Sequence, residues 1–364
     1  MKTYRIIVLG ASGSGKTFFL ASMYKKLCIQ NKEIGFFLEA VPEQRRELIN
    51  KYSEIADPEL DWPPGTLRKD VSEWRFLCRI QAPSQESYSA FELVYYDYSG
   101  EILTESMQGA NESAVKVDSA IQQADAFLVL IDGQKVLHLL QDRPNAISRL
   151  DYDLSHILPI VQGSNAVPLH FVVTKWDLLQ NYGVDLSTVR EQLEKFDQFS
   201  NIVNQRSGLE MPTRLIPISS LGPKFAELGP DGLLHKNKHE APYPFQVEMP
   251  LACTLLDKFQ ITQSQLTNLE GSPQYLLKLI GIQLLILAAK LMGLLSIQAA
   301  WVPVVGALGE LMMGGLQRQE HELARQQETF LNEVKNKNSA IRSVIKSHNR
   351  LMAKLETAFP DSVL

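Results

Sequence analysis

The sequence predicts an α/β protein of three layers, α/β/α, with a mainly parallel sheet, followed by a C-terminal all-α region. Apolar runs such as "YRIIVLG" and "LHFVVT" have the length and composition of buried strands. Stretches with helical spacing of apolar residues follow these runs, and this alternation is typical of parallel strands connected by helices. From residue 275 the chain changes to long apolar and amphipathic stretches, which predict helices without intervening strands.

Composition narrows the classes of protein and partner. The 364 residues carry 36 basic and 41 acidic side chains, a net charge of -5, so no global basic field favours nucleic acid as a partner. Three cysteines lie far apart in the sequence and form no metal-binding spacing, which suits a reducing cytoplasm. The N-terminus enters the first strand directly, which leaves no room for a cleavable signal peptide. We therefore expect a cytoplasmic protein.

The first strand runs into the glycine-rich stretch "GASGSGKT", which matches the phosphate-binding pattern G-x-x-x-x-G-K-[ST]. Backbone N–H groups of such a loop, and the positive end of the following helix, point at phosphate oxygens. Lys16 would reach the β- and γ-phosphates, and the Thr17 hydroxyl would ligate Mg²⁺. An ordinary strand-to-helix turn is the alternative. The predicted nucleotide-binding residues here are Gly10, Ser12, Gly13, Ser14, Gly15, Lys16 and Thr17.

A second strand, "FELVYYDYSGE", ends in Asp97 and gives the short pattern D-x-x-G with Gly100. A carboxylate at a strand tip can hold Mg²⁺ through water, and the glycine N–H can reach a γ-phosphate. The pattern is weak in isolation, but it follows the phosphate-binding loop on a strand of the right kind. We predict Asp97 as a metal-site residue and Gly100 as a contact to the terminal phosphate.

A third strand, "LHFVVTKWDLL", ends in Thr174, Lys175 and Asp177. The Asp177 carboxylate could accept hydrogen bonds from the N1–H and the 2-amino group of guanine, and adenine offers neither donor there. A buried acceptor of this kind discriminates strongly, because the wrong base leaves it unpaired. Lys175 would lie along the base and brace the phosphate loop. Thr174 stands where Asn is commoner, which bears on how the loop is supported; a plain polar turn is the alternative.

Two softer signals complete the predicted site. The strand "LIPISSLG" ends in Ser219 and Ser220, whose backbone N–H groups could approach the guanine O6. Thr66 is the only threonine between Thr17 and Asp97, and it lies in the Pro- and Gly-rich loop "DWPPGTLRKD". We predict that Thr66 closes over Mg²⁺ and the γ-phosphate; a plain loop residue is the alternative.

In this order the motifs resemble the TRAFAC class of P-loop GTPases with a Ras-like G domain. The "WPPGT" loop and "YPFQVEMPLACTLL" are similar to prokaryotic Ras-like and double-GTPase-type relatives of conflict or signalling systems. The resemblance implies a P-loop NTPase G domain over residues 1–260, with nucleotide at the carboxyl ends of the strands. It also implies GTP or GDP and Mg²⁺ as ligands.

One residue departs from this resemblance at the predicted catalytic centre. Glu101 follows Gly100 where Ras-like proteins carry a glutamine that orients the attacking water. A carboxylate cannot donate a hydrogen bond to the γ-phosphate, and it brings negative charge towards a negative transition state. We therefore predict slow hydrolysis, accelerated by a partner or by self-association. The predicted catalytic residues are Lys16, Thr66, Gly100 and Glu101; Arg68 and Arg75 lie near the Thr66 loop but are expected to be solvated surface charges.

The C-terminal hundred residues predict a helical module in two parts. Residues 261–315 form an apolar segment, in which 279–289 and 291–309 carry no charge and Lys290 separates them. About 20 apolar residues can cross a membrane, but Lys290 and Pro303 weaken that interpretation. Residues 316–364 predict a long amphipathic helix with six basic and no acidic side chains within 335–354. The module either associates with the inner face of the membrane or packs in a soluble bundle, against the G domain or a second copy.

The sequence thus predicts a GTP-binding molecular switch that slowly hydrolyses GTP to GDP and phosphate. Its C-terminal module would couple the nucleotide state to a membrane or to a protein effector or activating partner, with a homo-oligomer as a further option. A non-hydrolysing, nucleotide-stabilised scaffold that assembles a complex through its C-terminal helices is the alternative from another class. A membrane-remodelling GTPase is a third hypothesis, for which the helical region is short.

Overall fold

The computed structural model describes residues 3–31, 33–65, 71–81, 87–98, 112–163, 167–208, 213–229, 232–257 and 347–364. The strands are β1 (Thr3–Gly10), β2 (Phe36–Ala40), β3 (Val71–Gln81), β4 (Ser87–Tyr98), β5 (Ala126–Asp132), β6 (Leu169–Thr174), β7 (Thr213–Pro217), β8 (Ala226–Leu228) and β9 (Leu234–Lys236). The helices are α1 (Lys16–Leu27), α2 (Pro42–Ala56), α3 (Glu112–Gln122), α4 (Gly133–Leu140), α5 (Ala146–Gln162), α6 (Trp176–Asn181), α7 (Leu186–Leu193) and α8 (Asp197–Gly208). Residues 249–257 and 347–358 are also helical, and a 3₁₀ turn covers Pro360–Ser362.

Seven strands form one sheet in the order β2-β3-β4-β1-β5-β6-β7, and β8 and β9 form a separate antiparallel pair. Strands β4, β1, β5, β6 and β7 are parallel neighbours, and of the seven strands only β3 runs in the opposite direction. The predicted mainly parallel α/β sheet is therefore confirmed. Five parallel neighbours bring their carboxyl ends to one edge of the sheet.

Both faces of the sheet are buried. On β1, Ile6 and Val8 belong to one hydrophobic cluster, whereas Ile7 and Leu9 belong to another on the opposite face. Successive side chains of a strand point to opposite faces, so each cluster marks a helix layer against the sheet. All residues of β5 and β6 are buried, as expected of central parallel strands. This arrangement confirms the predicted three layers.

The last eighteen residues pack on the same sheet. Met352 and Leu355 are buried in the hydrophobic cluster that also contains helical residues 249–256, and Phe359 contacts the ring of Trp176. Residues 214 and 363 form an antiparallel bridge at the outer edge of β7. The apolar stripe predicted for 316–364 thus ends, in its described part, inside the core of residues 3–257. The division of the chain at 261 and 316 otherwise stays a prediction, because residues 258–346 lie outside the described part.

A buried ion pair anchors the helical segment 249–257 to the sheet. The Asp257 carboxylate accepts a hydrogen bond from the guanidinium of Arg214 on β7 and lies 3.2 Å from His170 Nε2 on β6. Burial lowers the pKa of His170, so its imidazole is neutral at neutral pH and the ionic partner of Asp257 is Arg214. Removing one partner of such a pair leaves a buried charge uncompensated, so the pair ties this segment firmly to β6 and β7.

Among the described residues, no helix is both long enough and apolar enough to cross a bilayer. The apolar stretch 279–315, on which the predicted membrane association depends, lies outside those residues.

The buried His348 makes the stability of the chain depend on pH. Its ring packs edge-on against Phe36, and burial lowers its pKa to about 4. In the unfolded chain this histidine binds a proton near pH 6.5. The free energy of unfolding is therefore highest above that pH and decreases as the pH falls towards 4, because only the unfolded chain takes up the proton in that range. The shift corresponds to roughly 3 kcal/mol.

We expect His348→Phe to remove this part of the pH dependence, because phenylalanine keeps a ring against Phe36 and has no proton to bind. Urea unfolding at pH 7 and pH 4.5 measures the decrease in the free energy of unfolding for each protein. Both proteins have the same carboxylates, so the difference between the two decreases reports His348 alone. Parallel pH profiles for the two proteins would contradict the assignment.

Candidate functional site

Polar residues converge where neighbouring parallel strands end. Gly10, Asp97, Asp132 and Thr174 lie at or near the carboxyl ends of β1, β4, β5 and β6. These ends open into a cavity of about 810 Å³. The sequence-predicted residues that line it are Ser12, Gly13, Gly15, Lys16, Thr17, Asp97, Thr174, Lys175, Asp177, Ser219 and Ser220. Parallel topology thus brings segments more than 200 residues apart into one candidate site.

The loop between β1 and α1 has the backbone that its glycines permit. Gly13 and Gly15 have φ angles of 81° and 89°, in the left-handed region where other residues are strained. A Cβ on Gly10 would come within 2.4 Å of the Ser14 hydroxyl oxygen, so glycine is needed there for space. Gly10 and Ser14 do not line the cavity, whereas the other predicted residues of the loop do.

Lys16 places a cation at the loop end of the cavity. Its ammonium group donates hydrogen bonds to the carbonyl oxygens of Gly10, at 2.7 Å, and Ala11, at 3.1 Å. Burial lowers the pKa of Lys16 to about 8, and the charge of Asp97 opposes that shift. A bound phosphate would favour the charged form further, because opposite charges in a buried site interact strongly.

Thr17 and Asp97 form a candidate Mg²⁺ site. The Thr17 hydroxyl lies 3.1 Å and 3.0 Å from the two carboxylate oxygens of Asp97, and the carboxylate is buried. Burial raises the pKa of Asp97, and the Thr17 hydrogen bond and the charges of Lys16 and Lys51 oppose the rise. In the described ranges no cluster of three or more His, Cys, Asp or Glu residues could hold a metal by itself. One carboxylate and one hydroxyl suit Mg²⁺, which takes its other ligands from phosphate and water.

The turn after β6 contacts the loop 10–17 and also carries residues that line the cavity. The Thr174 hydroxyl lies 2.9 Å from the Ser14 carbonyl oxygen and 3.2 Å from that of Ile131 on β5. Lys175 has a left-handed φ of 51°, and its ammonium group pairs with Asp132 at 2.9 Å. Thr174, which stands where Asn is commoner, therefore contacts the loop 10–17 directly.

Asp177 presents a buried acceptor in the lining of the same cavity. It lies in the first turn of α6, and burial raises the pKa of its carboxyl, which a hydrogen bond from the Ser219 hydroxyl opposes. The same Ser219 oxygen accepts from the N–H of Gly222 at 2.8 Å. A Cβ on Gly222 would come within 1.9 Å of the Tyr243 carbonyl oxygen, so this turn closes tightly. Ser219 thereby orients the carboxylate that the sequence predicted to bind the base.

Sequence reasoning missed the support that β5 provides. The Asp132 carboxylate caps α4 through the N–H of Gln134, at 3.0 Å, and pairs with Lys175. A Cβ on the next residue, Gly133, would come within 2.2 Å of the Thr174 carbonyl oxygen. The sequence signal for this support was Asp132 at the end of "LVLID", followed directly by Gly133. Thr66, Gly100 and Glu101, which were also predicted for the site, lie outside the described residues.

Comparison with known families decides the class of the protein. The family model Double-GTPase 2 matches residues 5–214, more than half of the chain. The chain belongs to the Double-GTPase 2 family. Membership confirms the resemblance to TRAFAC-type P-loop GTPases and implies guanine nucleotide and, typically, Mg²⁺ as ligands. No curated protein matches the chain.

The family model covers only some of the predicted site residues. It includes the loop 10–17, Asp97 and the turn 174–177. It ends within β7, before Ser219, Ser220 and the predicted C-terminal module. The base-side serines and the module are therefore argued from this chain alone.

The lowered pKa of Lys16 predicts that nucleotide affinity falls at alkaline pH. In the free protein this lysine loses its proton near pH 8, whereas bound phosphate holds the proton. Binding then requires proton uptake above pH 8, so affinity is full below that value and drops by up to about tenfold per pH unit above it.

Titration of GDP with Mg²⁺ between pH 7 and pH 9 measures this slope. Lys16→Met, which has no proton to gain, should bind weakly with a flat profile. A flat profile for the unsubstituted chain would contradict the role given to Lys16.

Proposed function

We propose that this Double-GTPase 2 protein binds GTP or GDP with Mg²⁺ in the cavity and acts as a molecular switch that hydrolyses GTP to GDP and phosphate. The observation that carries the proposal is that Lys16, Thr17, Asp97 and Asp177 all line one cavity. Groups for phosphate and metal thus share one cavity with an acceptor for the base. The remaining proposed nucleotide contacts are Ser12, Gly13, Gly15, Thr174, Lys175, Ser219 and Ser220.

Guanine selection follows from the chemistry of Asp177. Its carboxylate would accept hydrogen bonds from the guanine N1–H and 2-amino group, while Ser219 holds it in place. Adenine has an acceptor at N1 and no amino group at C2, so it would leave a buried carboxylate unpaired. That penalty is about 1–3 kcal/mol, and more for a charged group, which corresponds to a preference of roughly fivefold to 150-fold or above.

Slow hydrolysis is proposed on the sequence that follows the D-x-x-G pattern. Glu101 follows Gly100, and a carboxylate there cannot donate a hydrogen bond to the γ-phosphate. Thr66 and Gly100 would order their segments when the γ-phosphate is present and release them after its cleavage. An activating partner or a second copy of the chain would supply the hydrogen-bond donor to the γ-phosphate that Glu101 lacks.

The C-terminal module is proposed to transmit the nucleotide state. Cys253 and Met352 come from the helical segments on either side of 258–346, and their sulfur atoms lie 3.2 Å apart. The two helical segments that flank residues 258–346 in the sequence therefore contact each other. If residues 279–315 enter a bilayer, they must enter and leave on the same side. The alternative to a bilayer is that this module binds a protein partner or a second copy of the chain.

We expect Asp177→Asn to exchange guanine preference for xanthine preference. Asparagine replaces one acceptor oxygen by a donor amide, which suits the oxygen that xanthine carries at C2. Competition of GDP, XDP and ADP against a fluorescent GDP analogue measures the preference of each protein. GDP affinity should fall by at least tenfold while XDP affinity rises.

Asp185→Asn is the matched control, because Asp185 is an exposed carboxylate that caps α7 and asparagine caps helices equally well. This variant should keep the preference of the unsubstituted chain. Equal binding of GDP and ADP by the unsubstituted chain would contradict guanine selection and leave only a P-loop nucleotide site.

Single-turnover hydrolysis separates the switch from the scaffold. We expect the purified protein to convert bound GTP to GDP at roughly 10⁻⁴ to 10⁻² s⁻¹, the range of switch GTPases without an activator. Addition of vesicles with anionic lipids tests whether a membrane changes the rate. No conversion of bound GTP over a day would favour the non-hydrolysing scaffold, and several turnovers per second would contradict slow hydrolysis.

A further inference from the structure

Helix α2 brings charged side chains to the phosphate end of the cavity. It packs against α1, which begins at Lys16, and three of its charged residues line the cavity: Glu47, Lys51 and Glu54. Lys51 is the only cation among the three. It lies outside every motif that the sequence indicated, 46 residues before Asp97.

Lys51 is placed where its charge reaches the candidate metal site. Its ammonium group lies 3.6 Å from the Glu47 carboxylate and 6.0 Å from the centre of the Trp74 ring, and its side chain is 34% exposed. Its charge is one of those that oppose the raised pKa of the buried Asp97 carboxyl. A lysine on a flexible stem can exchange an exposed carboxylate for a phosphate without moving the helix.

The other cations near the site are engaged elsewhere. Lys175 pairs with the largely buried carboxylate of Asp132 at 2.9 Å. Arg75 hydrogen-bonds to Glu92 and pairs with Glu73 on the sheet surface, which agrees with its predicted surface role. Within the described residues, the cations that line the cavity are Lys16, Lys51 and Lys175. Lys175 is held by the buried Asp132 carboxylate, whereas Lys51 has the longer pair with the exposed Glu47, so Lys51 is the cation available to complement Lys16.

The charge of the ligand calls for a second cation. A fully ionised nucleoside triphosphate carries four negative charges and Mg²⁺ offsets two of them, which leaves two. Lys16 can balance one. A diphosphate with Mg²⁺ leaves only one, so a second lysine matters chiefly for the γ-phosphate.

We propose that Lys51 binds the γ-phosphate of GTP and thereby makes the site prefer the triphosphate over the diphosphate. This inference rests on the proposed function. Lys51 leaves Glu47 when the γ-phosphate is bound and returns to it in the GDP state. Thr66 follows α2 in the sequence, so this contact would also place the γ-phosphate next to the helix that precedes this predicted γ-phosphate contact.

The test compares affinities for GDP and for a non-hydrolysable GTP analogue in Lys51→Met, Lys51→Arg and the unsubstituted chain. Methionine keeps the stem but removes the charge. It should lower the affinity for the analogue by about tenfold or more, the effect of one charge-assisted hydrogen bond, and change GDP affinity by less than about threefold. Lys51→Arg should restore most of the loss.

Arg46→Met is the matched control, because it removes an exposed positive charge from the same helix, one that pairs with Glu43 and does not line the cavity. It should change neither affinity. Unchanged GDP binding in Lys51→Met also shows that this variant is folded.

Each remaining outcome overturns a different statement. If Lys51→Met keeps the analogue affinity, or loses both nucleotides equally, Lys51 does not recognise the γ-phosphate, while guanine nucleotide binding stands. If the unsubstituted chain binds neither nucleotide, the proposed function fails, and the role of Lys51 fails with it.

Discussion

The Thr174 hydroxyl connects the segments on which the candidate site depends. It lies within hydrogen-bonding distance of the Ser14 carbonyl in the phosphate loop and of the Ile131 carbonyl at the end of β5. Loss of such a buried hydrogen bond leaves a carbonyl unpaired at a cost of about 1–3 kcal/mol. Lys175 and Asp177 follow directly on the same turn, so this contact ties the turn that carries them to the loop 10–17.

Much of this site was predictable from the sequence, because its members follow recognisable strands. Parallel strands bring their carboxyl ends to one edge, so a loop after β1, a carboxylate after β4 and a turn after β6 were bound to meet. Asp132 was missed since a lone carboxylate at a strand end has no distinctive spacing. Lys51 was out of reach for a different reason, because only the packing of α2 on α1 brings it to the cavity.

The C-terminal residues show what periodicity can and cannot establish. In the described part of the predicted 316–364 helix, residues 347–358 are helical, and Met352, Leu355 and Phe359 of the apolar stripe lie against the core. Spacing does not say what covers that face, and in the structure it is the sheet domain itself. The buried Asp257 between His170 and Arg214 could not be predicted either, since its partners lie on strands that pair only in the fold.

The central claim is that the loop 10–17 and the turn 174–177 hold one guanine nucleotide between them. A crystal structure of the protein with Mg²⁺ and a non-hydrolysable GTP analogue tests it most directly. The account predicts phosphates against Lys16, Mg²⁺ on the Thr17 and Asp97 oxygens, and the guanine edge against the Asp177 carboxylate. A nucleotide bound with its base away from Asp177, or outside this cavity, would contradict it.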